Sequence, residues 1–208
     1  MRNPVSTERV ALTSPDLIPG SQVLGEEFYS RDAALVAREC LGKILAHGKT
    51  AGRIVETEAY LGTTDLAAHA SRGITERTKV LFGPPGRAYV YFIYGMHECL
   101  NFVSEPEGRA GCVLIRALQP LSGIETMFRR RPKARRLEDL TSGPAKLTQA
   151  LAITRKLNGS SLIDGPITVR RPMHESPIEI DITPRIGITH CADWPLRFVI
   201  AGSLFASR

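Results

Sequence analysis

One alternating stretch, Arg53-Ile-Val-Glu-Thr-Glu-Ala-Tyr60, constrains this chain more than any other feature. Successive side chains of a β-strand point to opposite faces. Ile54, Glu56, Glu58 and Tyr60 are therefore expected on one face, and Arg53, Val55, Thr57 and Ala59 on the other. Two carboxylates then point the same way, ~7 Å apart. Burying such a pair raises the cost of ionising both, so cationic partners or chemistry must justify it. Further along, Ala88-Tyr-Val-Tyr-Phe-Ile-Tyr-Gly-Met-His97 supplies a cluster of tyrosines. Acids beside aromatics suggest a site.

The chain has 208 residues, of which 43% are hydrophobic and 23% charged, an ordinary globular balance for one domain with a real core. No apolar run is long enough to cross a bilayer, and Met1 to Arg9 lacks the apolar core of a secretory signal. A soluble, cytoplasmic protein is expected, associated with the nucleoid if the source is bacterial. Cys40, Cys99, Cys112 and Cys191 are widely spaced without a Cys-x-x-Cys pair, which favours reduced structural thiols over zinc or disulfides. The net charge of +6 favours a polyanionic partner. Arg129, Arg130, Arg131, Lys133, Arg135 and Arg136 are clustered, and either phosphate contact or a solvated loop accounts for them.

Residues 1–20 are rich in proline, serine and threonine without periodicity and read as a loose tail, leaving residues 21–208 as a single domain. Regular structure is expected from about Glu26. Asp32 can cap a helix that stops at Gly42. Strands are expected at Lys43 to Ala46, Gly52 to Tyr60, Ala88 to Tyr94, Glu98 to Val103 and Cys112 to Leu118. Gly83-Pro-Pro-Gly86 and Glu105-Pro-Glu-Gly108 mark reversals between them, so the sheet should be mainly antiparallel. Gly123 to Arg130 reads as a helix, and Ser142 as the cap of another that begins at Pro144. Ile178 to Phe205 returns to strand-like alternation. The fold class is α+β.

Tyr94 sits at a hairpin tip beside Gly95, which allows a tight bend. Such an aromatic is a surface residue or an interface, or in a basic protein a wedge that fills a gap in a stacked duplex. Tyr89 and Tyr91, inside the strand, also suit plain core packing.

Several blocks, in this order, together resemble one family. They are Arg53-Ile-Val-Glu-Thr-Glu-Ala-Tyr-Leu-Gly62, Ala67-Ala-His69, Phe82-Gly-Pro-Pro-Gly86, Tyr89-Val-Tyr-Phe-Ile-Tyr-Gly-Met96, Asn101, Cys112-Val-Leu-Ile-Arg116 and Ser142-Gly-Pro-Ala-Lys146. They resemble the alkyladenine (3-methyladenine) DNA glycosylases from about Glu26 to Phe198. The resemblance implies a single domain with a curved antiparallel sheet flanked by helices and without a helix-hairpin-helix. It also implies a monofunctional base-excision enzyme that needs no metal or cofactor and acts on double-stranded DNA containing damaged purines; action as a monomer is the simplest expectation. The substrates would be of the 3-methyladenine, 7-methylguanine, hypoxanthine and ethenoadenine class.

By the same resemblance Glu58 is the acid that activates water, and Arg116 orients it. Tyr60, His69, Tyr89 and Tyr91 surround the extruded base, and Asn101 meets the purine edge, where it would disfavour the amine of normal guanine. Tyr94 and Met96 form the wedge. Lys146 suits a phosphate contact at a helix start better than Schiff-base chemistry, and Arg130 and Arg131 are further phosphate candidates. Glu56 reads as structural. A base buried in a duplex must be extruded before C1′ can be reached, at a cost of about a few kcal/mol that damage reduces. Cleavage then builds oxocarbenium-like charge, which a carboxylate stabilises while taking a proton from the attacking water. The competing readings are a non-catalytic binder of modified bases and a hydrolase of small nucleosides.

Overall fold

The structure is a computed structural model that describes residues 18–93 and 95–207. Most of the expected tail, and Tyr94, lie outside the described residues.

Regular structure starts a few residues before Glu26, with the short strand β1 (Gln22–Val23). Helix α1 (Glu26–Tyr29) leads into α2 (Ala33–Cys40), whose N-terminus is capped as expected: the Asp32 carboxylate accepts from Ala34 and Leu35 N–H. Next come β2 (Ile44–His47), β3 (Thr50–Leu61), β4 (Ala88–Ile93), β5 (His97–Ser104) and β6 (Gly111–Ser122). Helix α3 (Ile124–Arg130) and helix α4 (Pro144–Leu151) follow, then β7 (Ile167–Arg171), β8 (Ile180–Thr183) and β9 (Arg197–Ile200). Neither β1 nor β7 shows in the local pattern; β7 exists because it pairs with β1 and β2.

Every pairing among the described strands is antiparallel, in the order β1-β7-β2-β3-β6-β5-β4. β3 is the spine. β6 runs along one edge of it, while β2 takes the first part of the other edge and β9 takes Glu56–Glu58, so the sheet splits there. The register between β3 and β6 slips at Val55 and slips back at Arg116, an offsetting pair of β-bulges. This corrects the expected face of Ile54. The extra residue at Val55 moves Ile54 to the opposite face from Glu56, into the main core with Ala59. Thr57 Oγ1 donates to the Ala37 carbonyl in α2, 2.8 Å away, which marks this face as the one covered by helices.

The same alternation assigns the other strands. Val90, Leu100, Phe102, Val113 and Ile115 join the helix-covered core, while Tyr89, Val103 and Cys112 turn to the opposite face. There they pack with Ala70, Leu81 and Ala110 beneath the segment between β3 and β4. Glu56, Glu58 and Tyr60 share that second face.

The start of α4 also departs from expectation. Gly143 is the N-cap residue, with no side-chain cap, and Ser142 lies one position too early because its backbone bridges to Ala117 of β6. Its hydroxyl accepts instead from Lys146 Nζ at 3.3 Å. No helix among the described residues is long and apolar enough to cross a membrane.

Candidate active site

On the second face, the strands and the segments around 66–69, 144–145 and 186–190 enclose a cavity of about 500 Å³. Aromatic rings form one wall. His69 opens a 3-10 turn (His69–Arg72) and stands edge-on to Tyr91, with ring centres 4.6 Å apart, and to Tyr89 at 5.9 Å. Tyr89 and Tyr91 are two residues apart on β4, so both rings project from one face, 5.3 Å apart. His69 Nδ1 lies 2.9 Å from the Tyr89 hydroxyl, and its Nε2 lies 3.3 Å from Arg77 Nη2. Because a guanidinium can only donate, Nε2 is the acceptor and Nδ1 carries the hydrogen. Burial, then the charges of Arg77 and Arg72, push the His69 pKa down to about 4, so the ring is neutral at pH 7.

The acid pair lies beneath the cavity. Glu58 is fully buried; its Oε2 accepts from the Tyr60 hydroxyl at 3.0 Å. Its Oε1 accepts from Ile186 N–H at 2.8 Å and lies 3.2 Å from Arg116 Nη1. Glu56, equally buried, receives Nε of Arg116 and Nε of Arg197 at 2.8 Å each, and both N–H and Oγ of Ser207. One guanidinium thus bridges both carboxylates, and the bulge at Arg116 aims it there. The environments push the two acids apart. Burial raises the Glu58 pKa, and the opposing pull of Arg116 does not cancel it. Burial acts upward on Glu56 too, but hydrogen bonds from Ser207 and Arg197 with the charge of Arg116 leave it below its usual value. Glu56 is thus the more readily ionised of the two. Glu58 is the one of the two acids whose pKa is raised.

Sequence reasoning missed the segment that completes this floor. Arg185, in the turn before Ile186, is a buried cation that grips Asp65 with both Nη atoms, and Nη1 also reaches the Ala59 carbonyl at 3.0 Å. Its guanidinium carbon sits 4.6 Å from the centre of the Tyr60 ring. The Arg185–Asp65 pair therefore fixes both the backbone donor at Ile186 and the ring of Tyr60. Only an arginine in an otherwise strand-like tail hints at this; a backbone N–H has no signature in sequence.

The structure brings Arg116, Tyr60, His69, Tyr89, Tyr91 and Asn101 together in the cavity lining, with Glu58 buried behind Tyr60 and Arg116. Asn101 is buried in its lining; its amide nitrogen lies 3.4 Å from the Tyr89 carbonyl, and Cys112 Sγ lies 3.9 Å from Oδ1. Met96 is 69% exposed at the tip of the β4–β5 hairpin, where its N–H closes the turn onto the Ile93 carbonyl and Gly95 adopts a φ of 69°. Lys146 is half-buried at the start of α4, just after Pro144 and Ala145 of the cavity wall. Arg130 and Arg131 lie toward the other end of α4, where they donate to the Ala150 carbonyl and the Gln149 side chain. A larger hollow of about 680 Å³, between α2, β2 and residues 171–178, lacks the same combination, since its acids Glu39 and Glu175 already pair with Arg31 and Lys43. Among the described residues, no three His, Cys, Asp or Glu side chains converge to hold a metal ion.

The sequence pattern of the family described as Methylpurine-DNA glycosylase (MPG) matches residues 27–204. The chain belongs to this family. A relative from Methanoculleus marisnigri is 52% identical over 187 residues, which are 87% of this chain and 96% of the relative. One from Koribacter versatilis is 48% identical over 191 residues, covering 88% and 92%, and one from Legionella pneumophila is 44% identical over 192, covering 89% and 98%. All three are provisionally named 3-methyladenine DNA glycosylases. A methylpurine-DNA glycosylase is a hydrolase that cuts the N-glycosidic bond of DNA. The match spans every residue that lines the cavity, from Tyr60 to His190.

Proposed function

We propose that this chain excises alkylated or deaminated purines, of the 3-methyladenine, 7-methylguanine, hypoxanthine and ethenoadenine class, from duplex DNA. The nucleotide is flipped into the aromatic cavity, and water activated by Glu58 attacks C1′. One observation carries the reading: of the two buried acids on β3, Glu58 alone has a raised pKa, and it is held by Tyr60, Ile186 and Arg116, which line a base-sized aromatic cavity. A carboxylate accepts about four hydrogen bonds; Oε1 of Glu58 already takes Ile186 N–H and the ion pair with Arg116, and Oε2 takes the Tyr60 hydroxyl. The remaining acceptor position is on Oε2, the oxygen that the cavity residue Tyr60 also touches. A water there is oriented by its hydrogen bond and loses its proton to Glu58 as the glycosidic bond breaks, while the same charge stabilises the oxocarbenium ion. Tyr60, His69, Tyr89 and Tyr91 enclose the base, with Asn101 at its edge.

Tyr94 and Met96 act as the wedge, Lys146 meets a phosphate, and Arg130 and Arg131 add longer-range contacts. The enzyme acts as a monomer in the cytoplasm, at the nucleoid in a bacterial cell. Duplexes carrying single lesions test the reading directly: free base must be released by the wild-type protein, and tight binding without release would identify a non-catalytic binder instead. Tyr94→Ala should weaken lesion binding while single-turnover cleavage at saturating protein falls far less than in Glu58→Gln; equal losses at unchanged affinity would reject the wedge. Neutralising Arg130 and Arg131 together should flatten the salt dependence of binding by about one unit of slope per lost phosphate contact. An unchanged slope would leave them as ties between α3 and α4 alone.

A further inference from the structure

The loop between the 3-10 turn at His69–Arg72 and the next one (Lys79–Phe82) carries an exposed cation, Arg77, against the aromatic wall. The loop is well anchored. Thr75 and Thr78 exchange backbone-to-hydroxyl hydrogen bonds at 2.8 and 3.2 Å, and the buried Thr78 hydroxyl also donates to the Gly73 carbonyl. From this base the Arg77 guanidinium carbon lies 5.2 Å from the centre of the Tyr91 ring, besides its contact with His69.

Two of the cavity's tyrosines thus each have an arginine at the ring, Tyr91 Arg77 and Tyr60 Arg185, and neither arginine lines the cavity itself. They differ in charge balance. Arg185 is neutralised by Asp65, as Arg116 is by Glu56 and Glu58. Arg77 has no carboxylate partner among the described residues, because the adjacent Glu76 pairs with Lys79 at 2.8 Å. The neutral His69 offers no compensation, and Arg72 adds charge of the same sign nearby.

We propose that Arg77 is a specificity-determining residue whose unbalanced charge beside Tyr91 and His69 biases the cavity against purines with a permanent positive charge, relative to neutral lesions. This rests on the excision activity proposed above. An aromatic face ordinarily attracts a cation stacked on it. With the Arg77 guanidinium carbon 5.2 Å from the Tyr91 ring centre, a cationic base stacked on that ring meets a nearby like charge, close enough in a partly buried site to matter after screening. A neutral base meets no such repulsion. The charge therefore removes part of the advantage that cationic bases hold through easy departure, and it evens the rates at which the two classes are excised.

The test is the ratio of kcat/KM for 7-methylguanine to that for hypoxanthine, each in the same duplex context. Wild type is compared with Arg77→Gln and Arg77→Lys. Arg77→Gln should raise the ratio by about fivefold to tenfold, Arg77→Lys should hold it within about twofold, and the difference should shrink at high salt. Misfolding or a lost phosphate contact lowers both rates together and leaves the ratio alone, so an unchanged ratio with lowered rates overturns the proposal. A second readout needs no activity: the His69 ring, followed by NMR, should titrate at higher pH in Arg77→Gln. If His69 titrates identically in both proteins, the electrostatic link is wrong. A wild-type protein that releases neither base would reject the excision reading itself and the proposal with it.

Discussion

Replacing Glu58 by glutamine should lower single-turnover base release by ~10²-fold or more, equivalent to about 2.7 kcal/mol of transition-state stabilisation, with the fold intact. Two of its three polar contacts, Ile186 N–H and the Arg116 guanidinium, address Oε1, which the amide oxygen of glutamine can replace. The third is the Tyr60 hydroxyl on Oε2, and a hydroxyl can rotate from donor to acceptor and receive the new NH₂ group. Arg116 keeps Glu56 as a counter-ion. What glutamine cannot supply is a proton acceptor for water or a negative charge for the sugar cation. Glu56→Gln makes the contrast, since four donors converge on that side chain and an amide leaves at least one of them facing another donor. It should cost stability first. If Glu58→Gln released base at the wild-type rate while Glu56→Gln, still folded, did not, the assignment of the two acids would be reversed.

The pH profile carries the same assignment. Glu58 must be ionised to act as a base, and burial raises its pKa despite Arg116, so base release should fall with decreasing pH starting above the ordinary glutamate value of about 4.3. The residual rate of Glu58→Gln should lack this limb. Stability runs differently. The depressed pKa values of Glu56 and Asp65 contribute stability that is fully present above the unfolded-state values and is lost as pH falls through the folded ones. Activity should therefore disappear on acidification before the fold does.

Alternation along β3 is enough to place both acids and Tyr60 on one face, because a strand's period of two holds locally wherever no bulge intervenes. Ile54 escapes the pattern for the complementary reason. A bulge is a property of two strands in register, and nothing in residues 53–60 announces that Val55 has no partner in β6. The same non-locality hides β1 and β7, short segments that become strands only by pairing with each other and with β2. Side chains of the site are legible through the family blocks. Donors contributed by backbone, such as Ile186 N–H, and charges whose partners lie far away in sequence, such as Arg185 and Asp65, are not.

That distant pair should also give the largest loss of stability. Asp65 and Arg185 have no exposed side-chain surface, and removing one partner of a buried ion pair typically costs about 3–5 kcal/mol because the other is left as an uncompensated charge. Asp65→Ala also abandons the N–H groups of Leu61 and Ala67, which the carboxylate accepts at 3.2 and 3.0 Å. For a chain of this size the midpoint of thermal unfolding should drop by roughly 8–15 °C. The double variant Asp65→Leu with Arg185→Met separates packing from positioning. Replacing a buried pair by apolar side chains is often neutral or stabilising, so much of the midpoint should return. Base release should not return with it, because the ring of Tyr60 loses its backing cation and the turn that presents Ile186 N–H to Glu58 loses its anchor. Recovery of both would show that the pair serves only the fold, and that Glu58 needs no help from residues 185–186 to hold its geometry.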